Sequence, residues 1–400
     1  MRPQDAGLSV ALCIFSSLLM LPVAGGVAQA ASAPTPLTPL QQLGRSMFFD
    51  PSLSASGRMA CATCHDPKYA YGPRPGHAIA MGGPHLDQSG TRAIPSLRYL
   101  RDIPAFQEQY KFADGDTGPI GGMMWDGRAA NLQEQAKLPL LAANEMANAS
   151  AADVGRKLGH TSYASGFNAL FGADIFKDPL RTFAAGLTAL EAFQQVPQEF
   201  YPYSSRYDAY LRGDIDLTEQ EERGAALFKD PAKGNCASCH LGISRDGIPP
   251  PFTDFDFVNV GVPRNPRLPA NADPKYFDLG LCGPDRSDLA AKHDLCGFFR
   301  SPSVRNTAIR DAYFHNGVYT TLRQVLEFYN ERDLHPEKFY PRNPDGSVHL
   351  HDDLPAGYPN DIDHDPPLDR KPGAAPALTD ADIDDIIAFL KTLTDADVAR

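Results

Sequence analysis

Cys61-Ala62-Thr63-Cys64-His65 decides the reading of this chain, because the pattern returns as Cys236-Ala237-Ser238-Cys239-His240. C-x-x-C followed directly by His is the attachment pattern of c-type haem. The two thiols add across the haem vinyl groups, and the imidazole ligates iron from the proximal side. The spacing serves that geometry: one turn of chain sets both sulfurs on one porphyrin edge and swings the imidazole under the metal. One match alone could be a zinc half-site or a redox C-x-x-C. A zinc site wants further Cys or His pairs at short spacing, and none stands near either motif. Two matches predict two covalently bound haem c groups, one on Cys61, Cys64 and His65, the other on Cys236, Cys239 and His240.

A helix signal precedes each motif. Thr38-Pro39-Leu40 opens a helix through Phe49, with Leu40, Leu43, Gly44 and Met47 on one face, and Asp50-Pro51 ends it. Thr218-Glu219-Gln220-Glu221 is a capping-box start for a second helix, with Gly224, Leu227 and Phe228 on one face. Helix, loop and C-x-x-C-H form an internal repeat. It predicts a mainly α chain of two cytochrome-c-like domains, residues 31–205 and 206–400, each carrying one haem. The last helix, 379–393, has Ile383, Ile386, Ile387, Leu390 and Leu393 as an apolar stripe. A cytochrome c fold crosses its first and last helices, and Gly224 would allow close approach; a simple terminal core helix explains the stripe equally. Residues 132–141, 154–171 and 179–193 also read as helices, and strand signals are few. Residues 333–377 are rich in Pro, Asp, Asn and His and read as a long surface insertion.

Four hundred residues exceed one typical core. Apolar content of 42% with 22% charged residues is ordinary for a globular protein. The formal net charge of −12 argues against nucleic acid as a partner. It is compatible with a basic redox partner, or with solubility alone. Residues 8–27 are apolar and lead into Ala28-Gln29-Ala30, so residues 1–30 read as a cleaved signal peptide and the location as periplasmic. Arg2 is the only side-chain cation of the leader and Asp5 opposes it, which leaves a retained anchor as the alternative. Outside the leader and the two motifs, Cys282 and Cys296 remain. An oxidising compartment predicts a disulfide between them.

Further landmarks surround the motifs. Trp125-Asp126-Gly127-Arg128, Glu134-Gln135-Ala136, Pro139 and Asn144-Glu145-Met146 follow the first, and Phe299-Arg300-Ser301-Pro302 and Tyr313-Phe314-His315-Asn316-Gly317 follow the second. With them the chain resembles the bacterial dihaem cytochrome c peroxidases and the related MauG maturation enzyme. The resemblance implies a peroxidatic first haem, an electron-transfer second haem and a Trp between them, here Trp125. It implies a distal pocket of Gln, Pro and Glu at 10, 14 and 20 residues beyond that Trp, which are Gln135, Pro139 and Glu145. Glu145 would accept the proton from the iron-side oxygen of peroxide and return it to the leaving oxygen. Gln135 would orient the peroxide, and Pro139 would keep the pocket short.

The axial ligands follow from the same resemblance. His85, ten residues before Pro95, matches a distal His that many of these peroxidases place on the first haem, with His77 as its rival. If neither ligates, the first haem is five-coordinate, as in the MauG type. On the second haem the common peroxidases use a Met fourteen residues beyond the His of Tyr-Phe-His. Here Tyr329 takes that place, and no Met occurs after Met146. The MauG type has Tyr there, and a hard anionic donor favours ferric iron where a thioether raises the potential. Calcium between the haems, with ligands at Ala93, Arg310 and Ala312, is doubtful, because the Asn oxygen is missing and a cation stands beside the site.

Three functions compete. The first is an exported peroxidase that reduces hydrogen peroxide with electrons from a small cytochrome c or cupredoxin. The second is a MauG-like enzyme that oxidatively modifies a partner protein through an oxidised state shared by both haems. The third is a dihaem electron carrier, against which an acid–base pocket at Gln135, Pro139 and Glu145 argues. Family members often form homodimers, and nothing in the sequence marks an interface.

Overall fold

The helices begin where the capping residues put them. Thr38 Oγ1 accepts from the N–H of Gln41, the Gln41 side chain accepts from the N–H of Thr38, and Pro39 opens α1, Pro39–Phe48. Thr218 and Glu221 make the same reciprocal pair at the start of α9, Glu219–Lys229, and Thr379 and Asp382 make it at α11, Asp380–Thr392. Between α1 and α9 run α2 (Cys61–Cys64), α3 (Leu132–Leu141), α4 (Ala151–Leu158), α5 (Ala164–Phe171), α6 (Pro179–Gln194), α7 (Pro197–Phe200) and α8 (Arg206–Leu211); α10 is Leu322–Glu331. Six short strands pair antiparallel in twos: β1 (Ile79–Gly82) with β2 (Gln88–Ala93), β3 (Gln107–Lys111) with β4 (Thr117–Ile120), and β5 (Phe257–Val258) with β6 (Phe299–Arg300).

This is a computed structural model, and it describes residues 35–112, 115–244, 247–358 and 361–398. The signal peptide expected at 1–30 lies outside the described residues. No helix among the described residues is long and apolar enough to cross a membrane.

Leu37–Arg400 is one compact unit, and its apolar interior has two main centres. Leu43, Met47 and Phe48 of α1, Leu158 of α4 and Phe183, Leu190 and Phe193 of α6 form the first. Phe228 of α9, Leu326 of α10 and Ile383, Ile386 and Phe389 of α11 form the second. Each centre rests on one helix crossing. In the first, a Cβ on Gly44 would sit 1.8 Å from the carbonyl oxygen of Ala189, so α1 and α6 touch backbone to backbone. In the second, a Cβ on Gly224 would sit 1.9 Å from the carbonyl oxygen of Asp385, so α9 and α11 touch the same way. Only glycine permits such an approach. The repeat seen in the sequence is thus a repeat of packing.

One expectation needs correction and one needs completing. Residues 154–171 are not one helix: α4 ends at Gly159 and α5 begins after Tyr163. Residues 333–377, expected as a surface insertion, are exposed for much of their length but are also anchored to the interior. Leu334, Tyr340, Ile362 and Leu368 are buried. The fully buried Arg332 pins the segment, pairing with Asp333 at 2.6 Å and donating to the carbonyls of Val260 and Asp363 at 2.9 and 2.7 Å. Polar anchoring of this kind leaves no apolar periodicity to read.

Candidate functional site: two cavities meeting at Trp125

Both C-x-x-C-H motifs open onto cavities. Cys64 and His65 line a cavity of about 410 Å³, and Cys61 lines a smaller one beside it that Cys64 and His65 share. Cys236, Cys239 and His240 line a cavity of about 210 Å³. The two imidazoles are held alike. His65 Nδ1 lies 3.0 Å from the carbonyl oxygen of Tyr71, and His240 Nδ1 lies 3.3 Å from that of Phe252. With Nδ1 committed as donor, Nε2 is the free ligating atom. Burial holds both rings at a pKa of about 4, which keeps them neutral as ligation requires.

The donor set fits c-type haem. All four motif cysteines are free of disulfide bonds. Burial pushes the thiols of Cys61, Cys236 and Cys239 up to about 12 and that of Cys64 to about 11. Burial therefore favours the neutral thiol at all four positions. One guanidinium adds a second indication. Arg300 lines both cavities. Burial lowers its pKa to about 10, only partly offset by Asp126. A desolvated cation without an ion-pair partner among the described residues calls for an anion, and haem brings two propionates.

The residues expected of the distal pocket meet in the first cavity. Gln135 and Pro139 are one turn apart on α3 and project to one side of it. Both line the cavity together with Glu145. Glu145 is held from its backbone: its N–H donates to the Ala142 carbonyl at 3.0 Å and its carbonyl accepts from Gly83 at 2.8 Å. Burial raises its carboxyl pKa, Arg128 opposes the rise and Asp285 adds to it. Pro284 and Asp285 reach this cavity from the loop that the Cys282–Cys296 disulfide closes, with Cα atoms 5.0 Å apart.

Trp125 lines both cavities. Its indole N–H donates to the Ala93 carbonyl at 2.8 Å, and its own carbonyl accepts from the N–H of Arg300 at 2.9 Å. Asp126, next in sequence and fully buried, takes Arg92 at 2.7 Å and Arg128 at 2.6 Å. The turn is therefore clamped on both sides of the indole.

Tyr329, on α10, lines the second cavity. Its phenol is buried and its pKa raised, first by desolvation and then by Cys239 and Cys236. From residues 333–377, His351, Asp353 and Asp363 line the same cavity. His85 and His77 are not brought to the first cavity. Both are exposed, His85 in the turn joining β1 to β2. Of the two carbonyls considered for calcium, that of Arg310 accepts from the Tyr313 hydroxyl at 2.8 Å, and Ala93 brings only a methyl where the asparagine oxygen is required. Sequence reasoning missed Arg300 and Asp285 as lining residues, because nothing in a linear pattern shows that they reach across to the first motif.

Comparison with known proteins agrees with this geometry. The family model for the di-haem cytochrome c peroxidases matches residues 39–216. The methylamine utilization protein MauG of Paracoccus denitrificans is 36% identical over 96% of this chain and 95% of its own length. The cytochrome c551 peroxidase of Nitrosomonas europaea is 27% identical over 74% of this chain and 75% of its own. The crystal structure of the diheme peroxidase BthA from Burkholderia thailandensis superposes with a TM-score of 0.80 at 40% identity, covering 92% of this chain and 88% of that one. Two motifs, two cavities and one tryptophan shared between them, with full-length likeness to MauG, place the chain in the di-haem cytochrome c peroxidase family of oxidoreductases.

Proposed function

We propose that this chain is an exported dihaem peroxidase that reduces hydrogen peroxide in the first cavity with electrons relayed from the second. The observation that carries the reading is the position of Trp125, which lines both haem cavities while Gln135, Pro139 and Glu145 line the first and not the second. When bound, the first haem supplies the iron at which the O–O bond breaks. The chain supplies the proton handling. The Glu145 carboxylate takes the proton from the inner oxygen of peroxide and delivers it to the outer oxygen, which leaves as water. The Gln135 amide donates to the peroxide and orients it, and Pro139 limits the depth of the pocket. Two electrons and two protons complete the conversion of one peroxide to two waters. The electrons come from a small donor protein, a cytochrome c or a cupredoxin.

A second reading has its own support. Tyr329 lines the second cavity where a peroxidase of the common kind would present a methionine, and the likeness to MauG spans nearly the whole of both chains. An anionic oxygen ligand disfavours ready reduction by an ordinary donor. It suits an enzyme that withdraws electrons from a partner protein through Trp125. Stopped-flow turnover of peroxide with reduced cytochrome c separates the two. Steady oxidation of the donor supports the peroxidase. Peroxide consumption without donor oxidation supports the protein-modifying enzyme, and no peroxide consumption overturns both.

A further inference from the structure

We infer that Arg310 is the residue that sets the electron affinity of the first haem, acting as a fixed cation on its proximal side. The inference rests on the haem assignment of the first cavity and carries no assumption about the substrate.

Arg310 lines the first cavity. Its guanidinium donates to the Ile94 carbonyl, one residue from the Ala93 carbonyl that takes the Trp125 indole. It packs against Gly72, where a Cβ would lie 2.9 Å from Nη1. Gly72 is the peptide directly after Tyr71, whose carbonyl holds the His65 ring at 3.0 Å. The cation thus rests on the loop that orients the proximal imidazole and on the short segment that anchors the tryptophan. It makes no ion pair among the described residues. The neighbouring Asp311 is turned to the N–H of Gly76, and Tyr313, the other ionisable group felt by the guanidinium, points its hydroxyl at the carbonyls of Thr307 and Arg310.

A charge in that place acts on the iron through the ligand. A proximal histidine bonded to a carboxylate gains imidazolate character and stabilises oxidised iron. His65 is bonded instead to the Tyr71 carbonyl, on the loop against which the Arg310 guanidinium packs. Reduction adds negative charge to the centre, and a nearby desolvated cation favours that state. The same guanidinium is bonded at Ile94, next to the Ala93 carbonyl that holds the Trp125 indole.

The test is a spectroelectrochemical titration of the purified dihaem protein. Arg310→Met removes the charge and keeps most of the bulk, Arg310→Lys keeps the charge, and Gly72→Ala pushes the guanidinium aside while leaving Arg310 itself unchanged. Of the two haem couples, one should fall in Arg310→Met and in Gly72→Ala and stay near wild type in Arg310→Lys, while the other holds in all three. Equal potentials in wild type and Arg310→Met would overturn the inference, as would an equal drop in Arg310→Lys. If Arg310→Met fails to load haem, the Gly72→Ala and Arg310→Lys titrations decide it alone. The potentials are read without peroxide, so a protein that shows these shifts but no peroxide turnover refutes the proposed function and leaves this assignment intact.

Discussion

Arg98 and Asp395 form a buried ion pair of 2.8 Å, 1% and 0% exposed, that ties the first cavity's half of the chain to the C-terminal end. Asp395 also accepts from the Tyr99 hydroxyl and from the Asn306 side chain, both at 2.7 Å. A pair of this kind costs much to desolvate and gains little net stability, but removing one partner leaves an uncompensated charge. Arg98 also pairs with Asp397, so Asp395→Ala leaves it partnered, whereas Arg98→Ala strands the buried Asp395 carboxylate and should destabilise the protein by about 3–5 kcal/mol. The measurement is a urea transition, where the midpoint drops with the slope unchanged.

The paired glycines give a sharper test, because two effects oppose each other. Alanine in a helix interior is favoured over glycine by about 1 kcal/mol. At Gly44 and Gly224 the added carbon would meet a backbone oxygen at 1.8 and 1.9 Å. Backbone cannot move aside as a side-chain tip can, so overpacking, at about 1–3 kcal/mol, wins. Gly44→Ala and Gly224→Ala should each lower the melting temperature, and a gain at either position would show that the crossing is looser than described.

How much of this was legible beforehand follows from the kind of signal each feature leaves. α1, α9 and α11 carry capping residues and apolar stripes, which are local, so both limits of α1 and α11 and the start of α9 were readable to within a residue or two. The haem motifs are equally local. The contribution of residues 333–377 was not, since Arg332 holds that segment by hydrogen bonds to Val260 and Asp363, partners far apart in sequence. Arg300 and Arg310 are ordinary surface residue types whose placement on a cavity depends on the whole fold. His85 is a different case: an offset shared with relatives picks it out, and the structure places it exposed in the turn joining β1 to β2, outside the first cavity.

Trp125 should matter for transfer between the cavities and not for assembly of either. Trp125→Phe keeps an aromatic but loses the hydrogen bond to Ala93. Both haems should load in full by pyridine haemochrome assay, whereas donor oxidation driven by peroxide should slow by at least about tenfold, a barrier increase of about 1.4 kcal/mol. Unchanged turnover would mean that electrons pass by another route.

Glu145 carries the pH dependence. Burial raises its pKa above the ordinary carboxyl value of 4.5, so the base form appears only at higher pH. The rate constant for peroxide should climb through an acid limb displaced upward from 4.5. Glu145→Gln should flatten that limb and cost on the order of 10²–10⁴ in rate. Stability should respond in the opposite sense. A carboxyl raised in the folded state contributes its stability below the unfolded pKa and loses it as pH rises through the folded one. Glu145→Gln should therefore melt higher than wild type at neutral pH and match it near pH 4, by calorimetry on the same preparations.

Tyr329 decides between the two functional readings, and its chemistry predicts the signal. Its phenol is buried, burial raises its pKa and Arg332 only partly opposes the rise. Only a bound metal offers enough positive charge to draw the proton off in that setting. Ligation would then give a ferric low-spin centre that Tyr329→Phe converts to high spin and whose potential rises on losing the anionic oxygen. Electron paramagnetic resonance of the fully ferric protein reads the spin change directly. If Tyr329→Phe leaves the spectrum as it was, Tyr329 is a packing residue beside Phe314 and Phe328. His315 and His351, the other cavity-lining imidazoles, then become the ligands to replace in turn.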